Sequence, residues 1–296
     1  MSHILTLVAP QGALDPALVA RVRTALDALG AAPGTPDWLA EREAADIPFT
    51  GAAEQAVAAA RAALAEAPVD AIATAAEGRR KRLLIADMDS TIVTTETLDE
   101  IAAFAGLKEK IAEITRRSMN GELDFRQALI ARVGMLEGLS VSALEATWAE
   151  TRMMPGAAEL VATMRANGAV CCLASGGFTF FTGRVAGKLG FHHHVSNTLL
   201  IADGKLTGGV AEPIFDRHAK LTTLTRLATE NALPLEAAVA VGDGANDLDM
   251  IKAAGLGVAF RAKPVVAAAA RAKVDHGDLT ALLFAQGYRR REFATR

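Results

Sequence analysis

Four short apolar runs, at residues 83–86, 169–174, 237–241 and 256–260, organise this chain. Each is too short for a typical helix and shows no alternation with polar positions. Each leads into acids, glycines or a base: Asp87-Met88-Asp89, Ser175-Gly176-Gly177, Gly242-Asp243-Gly244 and Arg261. An unbroken apolar run of this length reads as a strand buried on both faces, the pattern of a parallel sheet. Segments with helical spacing precede the runs. Strand and helix therefore alternate, and the expected architecture is α/β with a doubly wound parallel sheet. Ligands of such sheets bind beyond the carboxyl ends of the strands, where these polar segments fall. Residues 197–210 predict a hairpin turning at Asp203-Gly204. Between the first two runs lies a helical insertion, roughly 98–152. A connection of this kind usually takes only a few residues, so the insertion is expected to cap the ligand edge.

Residues 1–80 follow another pattern. A strand is predicted over 4–8. Asp15 is placed to cap a helix with Pro16 at its first position. Leu18, Val22, Leu26 and Leu29 keep helical spacing as far as Gly30. A β segment between Pro36 and Phe49, an alanine-rich helix over 52–65 and a strand over 69–73 complete the unit. The order fits a βαββαβ, ferredoxin-like α+β domain, with a faint similarity to amino-acid-sensing ACT domains. It holds no cluster of acids or histidines and no glycine-rich loop, so packing or interaction is its expected role. Glu77-Gly78-Arg79-Arg80-Lys81-Arg82 reads as a solvated linker to a second domain over 81–296, and Arg289-Arg290-Arg291 as a solvated tail.

Composition narrows the function only by exclusion. The chain has 296 residues, 51% of them hydrophobic, and a formal charge of -3, as in an ordinary globular protein. No excess of positive charge argues for nucleic acid as partner. No uncharged stretch is long enough to cross a bilayer, and residues 1–10 lack the basic start of a secretion signal. A cytoplasmic location is expected; the oligomeric state, a homodimer included, stays open. Cys171 and Cys172 are neighbours, which on a strand point to opposite faces, so buried free thiols are expected rather than a bridge. His192-His193-His194 has no carboxylates at a familiar metal-ligand spacing.

Taken singly, the strand-end groups have ordinary readings. Asp87 and Asp89 could be turn acids, Ser175-Gly176-Gly177 a tight turn, Lys220 a surface lysine, and Gly242–Asp247 an Asx-rich turn. Together they match what phosphoryl transfer needs: an in-line nucleophile, a metal, donors around the phosphoryl oxygens and an acid for the leaving group. Mg²⁺ favours one or two carboxylates with phosphate and water, and Asp87 and Asp243 could supply them from neighbouring strands. The Ser175 hydroxyl and the N–H groups near Gly176 could cradle oxygens, and Lys220 could set a point charge on phosphate.

In that combination D-M-D-S-T, S-G-G-F, Lys220 and G-D-G-A-N-D resemble the haloacid dehalogenase superfamily, and residues 81–287 are similar to its phosphoserine phosphatases. The resemblance implies that Asp87 attacks phosphorus to form an aspartyl-phosphate. Asp89 would protonate the leaving seryl oxygen and then deprotonate water. Mg²⁺ would be held by Asp87, the Asp89 carbonyl and Asp243, with Asp247 in support. Ser175, Gly176 and Lys220 would bind phosphate, and Asn246 the substrate. Arg132 shares a helix face with Phe125, Leu129 and Leu136. Spacing alone favours an internal salt bridge or a snorkelling arginine there. The resemblance favours a clamp on the substrate carboxylate, with Glu96 balancing its ammonium and Met119 and Phe125 lining the pocket. The activity implied is hydrolysis of O-phosphoserine, the last step of serine synthesis. A phosphotransferase to another alcohol and a non-catalytic sensor of phospho-amino acids are the rival readings.

Overall fold

The computed structural model describes residues 2–295. Its N-terminal part runs β1 (Ser2–Val8), α1 (Pro16–Ala28), β2 (Asp37–Ala40), β3 (Ala44–Thr50), α2 (Ala53–Leu64) and β4 (Asp70–Ala75). The four strands form an antiparallel sheet in the order β2-β3-β1-β4. Asp15 accepts the Ala17 N–H at 2.8 Å with Pro16 at the first helical position, fixing where α1 starts. One β segment was expected between Pro36 and Phe49; the chain makes two, β2 and β3. Leu5, Leu7, Ile47 and Phe49 face α1 and α2, while Val8, Leu39, Ala44 and Ile72 join the larger core of the rest of the protein. The sheet is thus buried on both faces.

The remainder runs β5 (Leu83–Ala86), α3 (Thr97–Ala103), α4 (Lys108–Met119), α5 (Phe125–Gly134), α6 (Ser142–Glu150), α7 (Ala157–Ala166), β6 (Val170–Phe178), α8 (Thr179–Leu189), β7 (His193–Asn197), β8 (Leu199–Ala202), β9 (Lys205–Val210), α9 (Arg217–Glu230), β10 (Ala238–Gly242), α10 (Leu248–Ala253), β11 (Leu256–Phe260), α11 (Pro264–Ala269), β12 (Ala272–Val274) and α12 (Ala281–Ala285). Six strands pair in the order β12-β11-β10-β5-β6-β7, every neighbour parallel. Alternate residues of the apolar runs enter different cores. Leu84, Cys171, Leu173 and Val239 lie on one side of the sheet, and Leu83, Cys172, Ala174 and Ala238 on the other. That alternation is why the runs are unbroken. It also separates the two cysteines, which are free; burial pushes both thiols up to about 12.

From β5 the chain builds outward to β6 and β7, then crosses to build β10, β11 and β12 on the other side. The boundary between β5 and β10 is the reversal at which doubly wound sheets bind ligands. Helices α3 to α6 form the insertion between β5 and α7. The hairpin is β8–β9, turning at Asp203-Gly204 with both residues at positive φ (50° and 73°), as a two-residue turn of this hand needs. It begins later than expected, because Asn197 ends the edge strand β7.

Two basic segments are corrected by the structure. Arg79, expected in a solvated linker, is largely buried. It forks onto Asp46 at 2.7 and 3.0 Å, meets Thr6 at 3.0 Å and reaches the Phe284 and Ala285 carbonyls. Arg289 and Arg290, expected in a solvated tail, pair with Asp37 of β2 and with Glu43 in the turn between β2 and β3. The Arg290 guanidinium also lies over Phe284 and Phe293. A buried carboxylate explains Arg79, since an isolated charge in that position would be costly. No described helix is long and apolar enough to cross a membrane.

Candidate active site

At the carboxyl end of β5 the chain folds into a tight turn. The N–H groups of Thr91, Ile92 and Val93 all point to the Met88 carbonyl, and Ser90 takes the left-handed conformation at φ 55°. The turn presents Asp87 and Asp89 beside the ends of β6 and β10. Asp87, Asp89, Glu96, Arg132, Ser175, Gly176, Asp243 and Asn246 line one cavity, together with Met119 and Phe125. Lys220 and Asp247 stand behind its floor. The Lys220 ammonium, fully buried, lies 2.5 Å from Asp87 Oδ1 and 2.5 Å from Asp247 Oδ1. All twelve residues singled out from the sequence are therefore brought to one place. The histidine run is not among them: His192 accepts the Cys171 N–H at 3.0 Å, and His194 bonds Thr182.

The carboxylates have different surroundings. Asp247 Oδ2 accepts the N–H groups of Asp243 and Gly244 at 3.1 and 3.0 Å, so with Lys220 its bonding capacity is largely used. Asp87 and Asp243 are each raised well above the ordinary carboxylate value, first by burial. For Asp87 the Lys220 charge opposes this, and for Asp243 the nearby Glu96 adds to it. Asp89 is raised to about 6 by burial and then by Glu96, while the Thr97 N–H at 2.8 Å works the other way. Glu96 is raised by burial and accepts the Ser90 hydroxyl at 2.8 Å.

Asp87, Asp243 and Asp247 offer carboxylate oxygens lying within 4.8 Å of one another. An all-oxygen donor set suits a hard divalent cation. Such a charge would also hold Asp87 and Asp243 ionised against burial. The residues present therefore fit a cation of the Mg²⁺ class.

Glycines let the walls close. A Cβ on Gly176 would meet Phe125 Cζ at 2.7 Å, and one on Gly177 would meet Asp89 Oδ2 at 2.6 Å. The Ser175 hydroxyl accepts the Gly177 N–H at 2.8 Å and lies 3.3 Å from Asp89 Oδ2. The Asn246 Oδ1 atom is buried without a hydrogen-bond partner among the described residues, a polar atom at the cavity with bonding capacity to spare. The cavity holds about 30 Å³, room for little more than a water or two.

Sequence reasoning missed one nearby cation. Lys263 donates its N–H to the Asp243 carbonyl at 2.9 Å, and its ammonium lies 3.7 Å from Asp243 Oδ2. Its signal was the basic pair Arg261 and Lys263 at the exit of the fourth apolar run, the same edge on which the acids gather.

A turn presenting two acids at a sheet reversal, a lysine bridging two acids, an acidic loop after a third strand and a helical insertion above them agree with the family comparison. The haloacid dehalogenase-like hydrolase model matches residues 84–252, and the chain belongs to that family. Among its relatives are phosphoserine phosphatases. The one from Streptococcus thermophilus is 44% identical over 199 residues, 67% of this chain and 93% of that protein. The one from Streptomyces coelicolor is 45% identical over 221 residues, 75% of this chain. This chain spans only about half, 54%, of the Streptomyces protein's length. A haloacid dehalogenase family hydrolase from Salmonella enterica serovar Typhi superposes with a TM-score of 0.83 at 28% identity, over 96% of this chain and 98% of that one. That likeness takes in the N-terminal sheet as well.

Proposed function

We propose that this protein is a Mg²⁺-dependent phosphatase that hydrolyses O-phosphoserine through an aspartyl-phosphate on Asp87. The observation that carries the proposal is the pairing of chemistries in one cavity. Asp87 and Asp89 lie at its floor, and Glu96 and Arg132 line the same space. A phosphoryl group asks for the first pair, and a leaving group with both ammonium and carboxylate asks for the second. The names of the Streptococcus and Streptomyces relatives support the same substrate.

A bound cation, held by Asp87, Asp243 and the Asp89 carbonyl, would supply charge compensation for the phosphoryl oxygens. The rest belongs to the chain. Lys220 favours the ionised form of Asp87, the form that attacks. As an Asp87 oxygen bonds to phosphorus, the bond to the seryl oxygen breaks and Asp89 gives that oxygen its proton. A value near 6 for Asp89 keeps a protonated fraction available close to neutral pH. Water then attacks the aspartyl-phosphate, ionised Asp89 takes its proton, and inorganic phosphate leaves. Ser175 and the neighbouring N–H groups hold phosphoryl oxygens, Asn246 offers a further contact, and Asp247 fixes Lys220 and the β10 loop. Free serine as product fits a place at the end of serine synthesis, in the cytoplasm. The domain reading, 1–80 for the N-terminal unit and 81–296 for the phosphatase with its cap, goes with this proposal.

The test is phosphate release by purified protein with Mg²⁺ from a panel of O-phosphoserine, O-phosphothreonine, phosphoethanolamine and sugar phosphates. O-phosphoserine should be the best substrate. Rapid hydrolysis of other esters with none of O-phosphoserine would overturn the reading.

A further inference from the structure

Arg132 is 3% exposed, yet no carboxylate among the described residues pairs with it directly. Its Nε donates to the Ala128 carbonyl one turn back, at 3.1 Å. Its Nη1 donates to the Thr115 hydroxyl at 2.8 Å. No hydrogen bond described for the side chain uses Nη2, and the side chain lines the cavity. Thr115, 3% exposed, in turn lies 2.7 Å from Asp99 Oδ1 and 3.1 Å from the Ile111 carbonyl. A hydroxyl has one proton to give. The shorter, charge-assisted bond to the carboxylate takes it, which leaves the oxygen lone pairs to accept from Arg132. Three side chains on three consecutive helices, Asp99 on α3, Thr115 on α4 and Arg132 on α5, thus form one directional chain.

We infer that Asp99 and Thr115 are positioning residues that set the enzyme's preference for a leaving group bearing a carboxylate, by holding the Arg132 guanidinium toward the cavity without occupying it. The inference rests on the reading of Arg132 as the group that meets the substrate carboxylate. A direct Asp–Arg fork would satisfy the guanidinium from within the protein and weaken its claim on substrate. Asp99 works instead at one remove. Its charge offsets part of the cost of burying Arg132, while the interposed hydroxyl fixes the plane of the guanidinium through Nη1. With Nε tied to Ala128, two of the three guanidinium nitrogens are committed inside the cap. The third is the one left for a ligand. Thr115 also accounts for a β-branched residue at this helix position, since two heavy atoms on Cβ restrict χ1 and so the direction of the hydroxyl.

The experiment measures kcat/KM for O-phosphoserine and for phosphoethanolamine, the same ester without the carboxylate, in wild type and in the Thr115→Val, Thr115→Ser, Asp99→Asn and Arg132→Ala variants. Thr115→Val keeps shape and removes the hydroxyl. The ratio of the two kcat/KM values should fall roughly 3- to 10-fold, through KM for O-phosphoserine rather than through kcat. Thr115→Ser should restore most of the ratio. Asp99→Asn should lower it in the same direction, and it carries the test should Thr115→Val fail to fold. If Arg132→Ala lowers the ratio but neither Thr115→Val nor Asp99→Asn does, the positioning role is wrong and the substrate reading stands. If Arg132→Ala depresses both substrates equally, the substrate reading of Arg132 itself is wrong.

Discussion

Lys220 is held between Asp87 and Asp247 with no exposure to solvent. Removing one partner from a buried ion pair leaves uncompensated charge, which costs about 3–5 kcal/mol. Lys220→Met should therefore lower unfolding free energy by about that amount in urea titrations, as well as abolishing turnover. A loss near zero would mean that the two acids tolerate burial without it. The raised acids give a second prediction at this scale. Asp89 binds its proton more tightly in the folded protein, near 6, than in the unfolded chain. Asp87 and Asp243 are raised in the same direction. Stability from such groups is complete below the ordinary carboxylate value of about 4 and is lost as pH rises through the folded value. Protein stripped of divalent cations by a chelator should thus melt at lower temperature as pH goes from about 4.5 to 7. Asp89→Asn should remove part of that slope. A melting temperature that climbs across the interval in the stripped protein would contradict the assignment.

Among the elements, the helical insertion and the N-terminal sheet carry distinct expectations. The cavity has room for little more than a water or two, about 30 Å³, and with the proposed substrate the expectation is that α4 and α5 move away from the strand ends to let it enter. A Cβ built on Gly121, just past α4, would lie 3.6 Å from Ala245 Cβ in the β10 loop, a spacing a disulfide accepts. The pair Gly121→Cys and Ala245→Cys should be inactive when oxidised and recover on reduction. Full activity in the oxidised form would mean that substrate enters without that movement. The left-handed Gly121, at φ 78°, makes the cysteine there somewhat strained. The N-terminal sheet is stitched on by Asp70, which accepts the N–H groups of Asp275, His276 and Gly277 at 2.8, 3.2 and 2.8 Å. Asp70→Ala leaves three donors without an acceptor and should cost about 2–4 kcal/mol, read as a lower urea midpoint. An unchanged midpoint would show the junction to be held by its apolar contacts alone.

Across the whole molecule, what could be read in advance follows from where the information lies. The four central strands were legible because both of their faces are buried, which makes Leu83–Ala86 and its counterparts unbroken apolar runs. The edge strands were not: β7 is His-His-Val-Ser-Asn and β12 has three residues, too polar or too short to mark a strand. Site residues at strand ends were legible because two acids after an apolar run have few neutral explanations. Asp99 and Thr115 gave no such signal. An acid in the first turn of a helix and a threonine within one read as ordinary until Arg132 lies beside them in space. The same holds for Arg79 and Arg290, whose partners are 33 and 247 residues away in sequence. Charge runs look solvated when nothing nearby in the chain can answer them.

The central claim is that Asp87 itself takes the phosphoryl group from O-phosphoserine. The most direct test is acid quenching during turnover of O-[³²P]phosphoserine with Mg²⁺, followed by peptide mapping of the labelled protein. The account predicts acid-stable, base-labile label on the peptide containing Asp87, absent from Asp87→Asn, whose turnover falls at least about a thousandfold. Label on another residue, or near wild-type turnover by Asp87→Asn, would contradict it.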